Sequence, residues 1–296
     1  MLKAIGNFFV WCFVIVLVLG AILDVFVGTE EFADDMPSVE QIEDFRGFEQ
    51  RGDAGPDQAQ DQGPTLPAPS PFDDQSLVEA GDAKNWSSGT GFAIANGLWL
   101  TAKHVARGCE RLGILNEDGR VAVKARAVYV AENADVAIFQ TQGGPLPLAL
   151  DLDESDIKLG SQGFHVGYPQ GKPGEVTSRL IGRELMLTTG AWRGRENTLA
   201  WAETGRTRGL SGTLGGLSGG PTLDGNGRVI GITIAENPRR GRVISTVAAS
   251  MEKALTDADI NANGLAEGPL NSGDFAQQAK RLRADLKVVQ VICLTT

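Results

Sequence analysis

Short apolar runs separated by glycine and asparagine extend from Trp86 to about residue 245, and no long stretch with a period of 3.6 residues interrupts them. This pattern indicates β-strands joined by tight turns. Asn96-Gly97 lies between alternating apolar residues, a strong hairpin signal because both residues tolerate positive φ. A second hairpin is predicted where residues 224–227 separate two apolar runs. We therefore predict an all-β domain of about 170 residues. Further strand candidates cover residues 121–130, 136–139 and 185–189.

The amino terminus carries an apolar run that could span a membrane. Residues 8–23 contain no charge, and an α-helix over residues 5–27 would be about 34 Å long, enough to cross a hydrocarbon core of about 30 Å. Lys3 precedes this run and acidic residues follow it, so the positive-inside rule places the amino terminus in the cytoplasm. We predict that residues 1–27 form a membrane anchor. A cleaved signal peptide is the alternative, but no A-x-A-like cleavage site follows the run.

The acidity of the chain is concentrated in one segment. The net charge is −10, and residues 28–85 hold 15 acidic and 3 basic residues together with many prolines and glutamines. Few apolar side chains are available there to offset the entropy of ordering, so this segment is predicted to be a disordered linker. A docking tail for a basic partner is the alternative. The acidic balance argues against nucleic-acid binding, which ordinarily requires a basic face.

Histidine and cysteine usage limits the chemistry that the chain can perform. It has two histidines and three cysteines, and it has no C-x-x-C motif. A zinc ribbon or a multi-histidine metal site is therefore excluded, and no metal or cofactor is expected. Cys12 lies within the predicted membrane span. His165 precedes a strand-like run and is predicted to be structural, which leaves His104 as the candidate for histidine chemistry.

Three short segments of the sequence contain residues suited to acyl transfer. GTGFAIANGLWLTAKHV, residues 89–105, brings His104 to the end of an apolar strand, and NADVAIF contains Asp135 just before another strand-like run. GLSGGP, residues 216–221, places Ser218 in a glycine-rich turn. Such a turn can project a nucleophile while its backbone N–H groups converge on a developing oxyanion. A phosphate-binding loop is excluded because no GK[ST] sequence follows.

The order of these residues discriminates between hydrolase classes. The G-x-S-x-G pattern around Ser218 also occurs in α/β-hydrolases, but their histidine follows the serine, and no histidine follows Ser218 here. The order His104, Asp135, Ser218 is the trypsin-like order, with spacings of 31 and 83 residues.

Together, GTGFAI with GLWLTAKHV, DVAIF, and GLSGGPTLDGNGRVIGI resemble the three signature motifs of trypsin-like serine peptidases. The chain most resembles their bacterial HtrA-type branch, which GFHVGYPQGKPGEVTSRLIG, residues 163–182, also resembles. The resemblance covers about residues 86–250. It implies two six-stranded antiparallel β-barrels with the catalytic groups in the cleft between them. We expect a peptidase domain over residues 86–260.

The resemblance also implies roles for individual residues. Ser218 would attack the scissile carbonyl, His104 would accept and return its proton, and Asp135 would orient His104. The backbone N–H groups of Gly216 and Ser218 would form the oxyanion hole. The strand edge at Thr233, Ile234 and Ala235 would pair with the substrate backbone, with the Thr233 hydroxyl near Asp135.

Two features depart from the HtrA pattern. Leu217 stands where digestive members of the family carry aspartate and HtrA-type members usually carry asparagine, so activation through that aspartate is not available. About 45 residues follow the peptidase region, too few for a PDZ domain. The expected function is a membrane-tethered serine endopeptidase of the bacterial inner membrane that acts on protein or peptide substrates in the periplasm. A peptide-binding or sensing module with little turnover is the alternative, and the oligomeric state is open.

The carboxyl-terminal residues 261–296 are predicted to add a helix and a strand. Phe275, Ala279, Leu282 and Leu286 have helical spacing, and KVVQVICL after them is typical of a strand. Cys109 and Cys293 could form a disulfide in an oxidising compartment, with a free buried thiol as the alternative.

Overall fold

The computed structural model describes residues 63–81, 85–115, 119–191 and 193–295. The membrane anchor predicted over residues 5–27 lies outside these ranges. Among the helices of the described ranges, none combines the length and the apolar character needed to cross a bilayer.

Two β-sheets make up most of the described chain, in agreement with the alternating apolar pattern. The first sheet is a closed barrel with the strand order β13-β2-β3-β6-β5-β4. All of its neighbouring strands are antiparallel. Its strands are β2 (Trp86–Ala95), β3 (Leu98–Thr101), β4 (Arg111–Leu115), β5 (Val121–Val130), β6 (Ala137–Gln140) and β13 (Val288–Leu294).

The carboxyl-terminal strand β13 is part of this first barrel. It pairs with β2 on one side and with β4 on the other, and all seven of its residues are buried. Strand β13 therefore pairs along both of its edges, and its apolar side chains are buried. Strand β13 thus completes the first barrel, although the sequence analysis assigns it to an extension that follows the peptidase domain.

The second sheet has seven strands in the order β1-β8-β7-β10-β11-β12-β9, and β9 also pairs with β8. The pairing of β8 with β9 closes six of these strands into a ring, whereas β1 pairs with β8 alone among the strands of the described ranges. The strands are β1 (Asp74–Ala80), β7 (Gln162–Gly167), β8 (Gly174–Gly190), β9 (Gly194–Arg206), β10 (Pro221–Leu223), β11 (Val229–Asn237) and β12 (Arg242–Thr246).

Strand β1 lies inside the range that the sequence predicts to be a disordered linker, residues 28–85. It pairs in parallel with the second half of β8, from Asp74 opposite Glu184 to Ala80 opposite Gly190. The described part of this range, residues 63–81, therefore contains regular structure. The prediction of disorder does not hold there, because the neighbouring β8 supplies hydrogen-bond partners that composition does not reveal.

In the described ranges three α-helices accompany the sheets: α1 (Lys103–Ala106), α2 (Ala248–Asp257) and α3 (Phe275–Ala284). Helix α3 buries Phe275, Ala279 and Leu282, as their helical spacing predicts. Leu286 is 58% exposed, because α3 ends at Ala284 and Leu286 has a positive φ of 56° that turns the chain towards β13. The predicted helix therefore ends before Leu286, although the spacing of this residue fits the helical pattern.

Both sheets contribute to one hydrophobic cluster that fixes them against each other. It contains Phe92 and Phe139 from the first barrel and Phe164 and Ile232 from the second sheet. The ring centroids of Phe164 and Phe275 lie 4.9 Å apart, so α3 packs against β7 within this cluster. Because cores of this kind are close-packed, the cleft between the sheets has a defined shape.

The structure joins Cys109 and Cys293 in a disulfide with a Cα–Cα distance of 5.2 Å. Cys109 follows α1, and Cys293 lies in β13. The bond therefore connects the loop after His104 to the strand that closes the first barrel.

Candidate active site

His104 and Asp135 are brought together by strand pairing. Strand β3 pairs with β6, with Thr101 opposite Ala137, so the residues just beyond these positions share one edge of the barrel. The chain turns into α1 after Thr101, and α1 carries His104, while Asp135 lies two residues before β6. Nδ1 of His104 is 2.6 Å from Oδ2 of Asp135, and the backbone N–H of His104 donates to Oδ1 of the same carboxylate at 2.9 Å.

The electrostatics of this pair favour the protonated imidazole. Burial lowers the pKa of His104, but the charge of Asp135 and its hydrogen bond to the ring outweigh burial, so the pKa is raised above 6.5. The His104 side chain is 35% exposed, whereas that of Asp135 is 3% exposed. The carboxylate can thus hold the ring in one orientation through Nδ1, which leaves Nε2 for proton transfer.

Ser218 lies in the turn that precedes β10 and shares one open cavity with His104 and Asp135. This cavity, called here the cleft, has a volume of about 560 Å³. Oγ of Ser218 lies 3.5 Å from the carbonyl oxygen of Ile234. Within the described ranges no hydrogen bond joins this hydroxyl to His104. Catalytic hydrogen bonds often tighten only in the complex with substrate.

The peptide between Gly215 and Gly216 has an orientation suited to an oxyanion hole. The Gly215 carbonyl accepts a hydrogen bond of 2.5 Å from the backbone N–H of Gln170. Because a trans peptide directs its C=O and N–H oppositely, the Gly216 N–H is directed away from Gln170. In the described ranges, neither this N–H nor that of Ser218 donates to another protein group. The N–H groups of Gly216 and Ser218 are thus two candidate donors to an oxyanion at this turn.

Gly216 meets a steric demand that other residues cannot meet. Its φ is +96°, and a Cβ at this position would lie 2.4 Å from the carbonyl oxygen of Tyr168. A side chain would therefore require the Tyr168 loop to move, and with it the Gln170 N–H that holds the Gly215 carbonyl.

Gln170 braces the same loop with its side chain. Its Nε2 donates to the carbonyl oxygens of Ser211 and Thr213, at 2.6 and 2.7 Å, and its own φ is 55°. Sequence reasoning missed this residue, because a glutamine in a Tyr-Pro-Gln-Gly loop is typical of an ordinary turn. Its positive φ, unusual for a residue other than glycine, is the structural sign of its role.

The predicted substrate edge is only partly available. The backbone of Thr233 is bonded to the turn after Ser218, because its N–H donates to the Gly220 carbonyl and its carbonyl accepts from the Gly219 N–H. The pairing register between β11 and β12 shifts between Thr233 and Ala235. Ile234 lies in this bulge, and both Ile234 and Ala235 line the cleft.

The Thr233 hydroxyl lies in the core, 2.9 Å from Nδ1 of His165. In the described ranges this hydroxyl is hydrogen-bonded to His165 and Thr222, and no hydrogen bond joins it to Asp135.

His165 is a buried polar residue of that interior. Its Nε2 is 2.8 Å from the hydroxyl of Ser178, and burial lowers its pKa to about 3. It is therefore neutral near pH 7 and has no place in the cleft. No group of three or more histidine, cysteine or acidic side chains that could hold a metal ion occurs in the described part of the chain.

Glu196, a buried glutamate that the sequence analysis did not identify, contacts the backbone of Asp135. Oε2 of Glu196 accepts a hydrogen bond of 2.7 Å from the Asp135 N–H, and Oε1 accepts one of 3.0 Å from the Ser250 hydroxyl. Burial, with a further contribution from the charge of Asp135, raises the pKa of Glu196 to about 7. A glutamate among charged residues at the start of a strand is usually exposed, so the sequence carried no signal for it.

Leu217, the departure from the HtrA pattern, is buried. It belongs to a cluster with Leu214 and Trp201, and its backbone N–H donates to the Leu214 carbonyl at 2.9 Å. An apolar side chain before the serine is thus accommodated by packing, and the turn retains its internal hydrogen bond.

Comparisons with known proteins find similarity to serine peptidases. Residues 89–232 match the family model described as "Trypsin-like peptidase domain". A protein from Halomonas elongata, named "Probable periplasmic serine endoprotease DegP-like", is 29% identical over 175 residues, which are 58% of this chain and 35% of that protein. "Protease Do-like 1, chloroplastic" from Arabidopsis thaliana is 29% identical over 50% of this chain and 33% of its own length. The chain thus spans about a third of the length of these relatives.

Solved structures with a similar chain path include the HtrA-type protease AlgW with a decapeptide. It is 18% identical, with 58% of this chain and 51% of that chain covered and a TM-score of 0.46. The active form of the Rv3671c protease from M. tuberculosis is 16% identical, with 72% and 97% covered and a TM-score of 0.46.

Proposed function

We propose that the protein is a serine endopeptidase, because residues 89–232 match the model of the trypsin-like peptidase domain and the chain is similar to DegP-like endoproteases. The observation that carries this proposal is the cleft. One cavity is lined by His104, Asp135 and Ser218, and His104 is hydrogen-bonded to the carboxylate.

In the proposed mechanism Ser218 Oγ turns from the Ile234 carbonyl towards His104 and attacks the scissile carbonyl carbon. His104 accepts the proton of the hydroxyl, and the hydrogen bond to Asp135 stabilises the resulting imidazolium. His104 then returns this proton to the leaving amine, which leaves an acyl-enzyme on Ser218. Water, deprotonated by His104, then attacks the ester, and His104 returns that proton to Ser218 Oγ as the bond to the acyl carbon breaks and the new carboxyl group leaves.

The developing oxyanion would be bound by the N–H groups of Gly216 and Ser218. Losing one such donor typically costs about 3 kcal/mol of transition-state stabilisation. Because Gln170 holds the Gly215 carbonyl, the Gly216 donor is already oriented before substrate binds, and little reorganisation is required.

The proposed setting is the periplasmic side of a bacterial inner membrane. Two matched relatives are named as periplasmic DegP-like endoproteases, and the predicted anchor over residues 5–27 would place the folded region on the outer side. A disulfide between Cys109 and Cys293 is consistent with such an oxidising compartment.

Labelling with a fluorophosphonate tests the catalytic assignment. We expect the full chain to be labelled at one site, and Ser218→Ala to abolish labelling. Ser155→Ala, which removes an exposed hydroxyl outside the cleft, should be labelled like the wild type. Labelling of the Ser218→Ala variant would contradict the assignment of the nucleophile.

A peptide-binding module with little turnover is the second candidate. It is favoured by the Ser218 hydroxyl, which lies against the Ile234 carbonyl without a hydrogen bond to His104 in the described ranges, and by the unusual Leu217. Peptide binding without labelling or cleavage between pH 6 and 9 would support this candidate over the peptidase.

A further inference from the structure

Strand β1 forms part of the same cleft that holds the catalytic side chains. Val78, Glu79, Ala80 and Gly81 line the cavity together with His104, Ser218 and the Ile234–Ala235 edge. The family model covers residues 89–232, so β1 lies outside the matched domain. A segment that precedes the peptidase fold thus provides a wall of its candidate active site.

Contacts at both ends of β1 fix this wall in place. At the beginning, the Asp74 carboxylate lies 3.9 Å from Nη1 of Arg242, which also pairs with buried Glu184. At the end, the Ala80 carbonyl accepts a hydrogen bond of 3.1 Å from the Ala191 N–H. Strand β1 is thus an integral strand of the second sheet, and its seven residues pair in register with β8.

The end of β1 is also connected to the loop that carries His104. The Ala191 carbonyl accepts a hydrogen bond of 3.4 Å from the guanidinium of Arg107, three residues after His104. Gly190 permits this crossing, because its φ is +92° and a Cβ there would lie 2.3 Å from the Ala80 carbonyl oxygen. The wall therefore reaches from the second sheet to the first barrel.

The strand leaves room for a peptide. The cleft of about 560 Å³ is the space that remains with β1 in place, and its volume lies within the range of ligand pockets. In the described part of the chain β1 has β8 as its single strand partner, so its second edge is open. An open strand edge can bind an extended peptide through main-chain hydrogen bonds.

The charges in the cleft indicate the kind of peptide. Glu79 is exposed, and no ion pair of its carboxylate is present in the described ranges. The other cleft carboxylates are engaged: Asp135 holds His104, and Oε1 of Glu236 accepts a hydrogen bond of 2.7 Å from the Leu214 N–H. The Arg107 guanidinium contacts the Ala191 carbonyl. Glu79 is therefore the carboxylate most available to a cationic side chain.

We propose that β1 is a substrate-binding element: an extended peptide that fills the cleft contacts both β1 and the Ile234–Ala235 edge, and Glu79 selects a lysine or arginine side chain of that peptide. This inference rests on the proposed function for the peptide substrate. The segment between the predicted anchor and the fold then takes part directly in recognition, in addition to tethering the domain.

The first test measures selection by charge. A library of octapeptides with one randomised position at a time is cleaved by the full chain, and products are identified by mass spectrometry. We expect lysine and arginine to be preferred at one position, and Glu79→Lys to change that preference to acidic residues with an effect of about tenfold. Glu252→Lys, an equal charge change on the exposed side of α2, should leave the preference unchanged. Identical preferences for Glu79→Lys and the wild type would overturn the role of Glu79.

The second test addresses the backbone of β1. Val78→Pro removes an N–H and opposes strand pairing, whereas Phe72→Ala alters an exposed side chain that precedes β1 and does not line the cleft. We expect kcat/KM for an octapeptide to fall about tenfold in Val78→Pro alone, with unchanged fluorophosphonate labelling of Ser218. An unchanged kcat/KM would overturn the proposal, and an increase would identify β1 as an obstruction instead.

Peptide binding separates this inference from the peptidase assignment. In the Ser218→Ala background, the Kd of a fluorescein-labelled lysine-containing octapeptide is measured by anisotropy. We expect Glu79→Lys to raise this Kd about tenfold, whether or not the wild-type protein cleaves peptides. Absence of labelling in the wild type would defeat the peptidase assignment alone, whereas an unchanged Kd would defeat the assignment of Glu79.

Discussion

The backbone N–H of Asp135 donates a hydrogen bond of 2.7 Å to Oε2 of Glu196. This contact joins the start of β9 in the second sheet to the residue that orients His104 in the first barrel. Glu196 is 7% exposed, so the carboxyl group is largely removed from water. The backbone of Asp135 is thus held in part by a group whose pKa is raised to about 7.

We predict that Glu196 makes the protein less stable as the pH rises. Burial raises the pKa of Glu196 from 4.5 to about 7 in the folded protein, so between these values the folded state binds a proton that the unfolded state has released. The contribution of Glu196 is therefore fully present below pH 4.5 and is lost as the pH rises through 7. The difference corresponds to roughly 3 kcal/mol.

Glu196→Gln tests this prediction, because glutamine keeps an acceptor for the Asp135 N–H and does not titrate. The free energy of unfolding, measured with urea at pH 5 and pH 8, should decrease less in the variant than in the wild type. Glu252→Gln, at an exposed position, serves as the control. Parallel pH dependence of the Glu196→Gln variant and the wild type would mean that Glu196 is ionised throughout this range.

Gln170 should control the rate of the chemical step. Gln170→Ala removes the two hydrogen bonds to the Ser211 and Thr213 carbonyls and leaves the loop before Gly216 less constrained. We expect kcat to fall about tenfold to a hundredfold, with little change in KM or in the melting temperature.

Lys172→Ala, an exposed change in the same loop, is the matched control for Gln170→Ala. Rates of fluorophosphonate labelling should follow kcat in both variants, because phosphonylation also depends on the oxyanion hole. A lower melting temperature together with an unchanged kcat would show that Gln170 supports folding alone.

The sequence predicts the elements that depend on local patterns better than those that depend on long-range pairing. The Asn96-Gly97 turn, the strand over residues 121–130 and the helical spacing after Phe275 depend on local patterns, and the structure contains these elements. The meeting of His104 with Asp135 could be expected because a family resemblance supplies the long-range pairing that spacing alone does not.

Long-range pairing explains what the sequence did not predict. The segment DQSLVEA forms strand β1 because it pairs with the edge of β8, and none of its seven residues identifies that partner. The same holds for Glu196 and Thr233, whose side chains are placed by the packing of two sheets. Their hydrogen-bond partners are 61 and 68 residues away in the chain, beyond the reach of local pattern.

The bond between Cys109 and Cys293 should stabilise the first barrel considerably. It joins residues that are 184 positions apart, and closing so long a loop restricts the unfolded chain strongly. We expect the Cys109→Ala, Cys293→Ala double variant to lose about 4 kcal/mol of unfolding free energy. Urea denaturation of the wild type with and without reductant checks the same quantity. Equal midpoints in oxidised and reduced protein would mean that the bond contributes nothing to stability.

The pair of His104 and Asp135 predicts the pH dependence of activity. Asp135 raises the pKa of His104 above 6.5 despite the opposing effect of burial, and the imidazole must be neutral to accept the serine proton. Peptide kcat/KM should therefore rise with pH, with a midpoint above 6.5. The same shift stabilises the folded protein below pH 6.5, and this stabilisation is lost as the pH rises through the folded-state pKa.

Asp135→Asn should lower kcat by about 10⁴-fold, because the amide holds the imidazole in the wrong tautomer. It should also move the midpoint of the residual activity to lower pH, since the charge that stabilises the imidazolium is removed. Asp257→Asn, at an exposed carboxylate of α2, should alter neither the rate nor the midpoint. A pH–rate profile of kcat/KM between pH 5 and 9 measures both effects. An unchanged midpoint in Asp135→Asn would assign the titrating group to a residue other than His104.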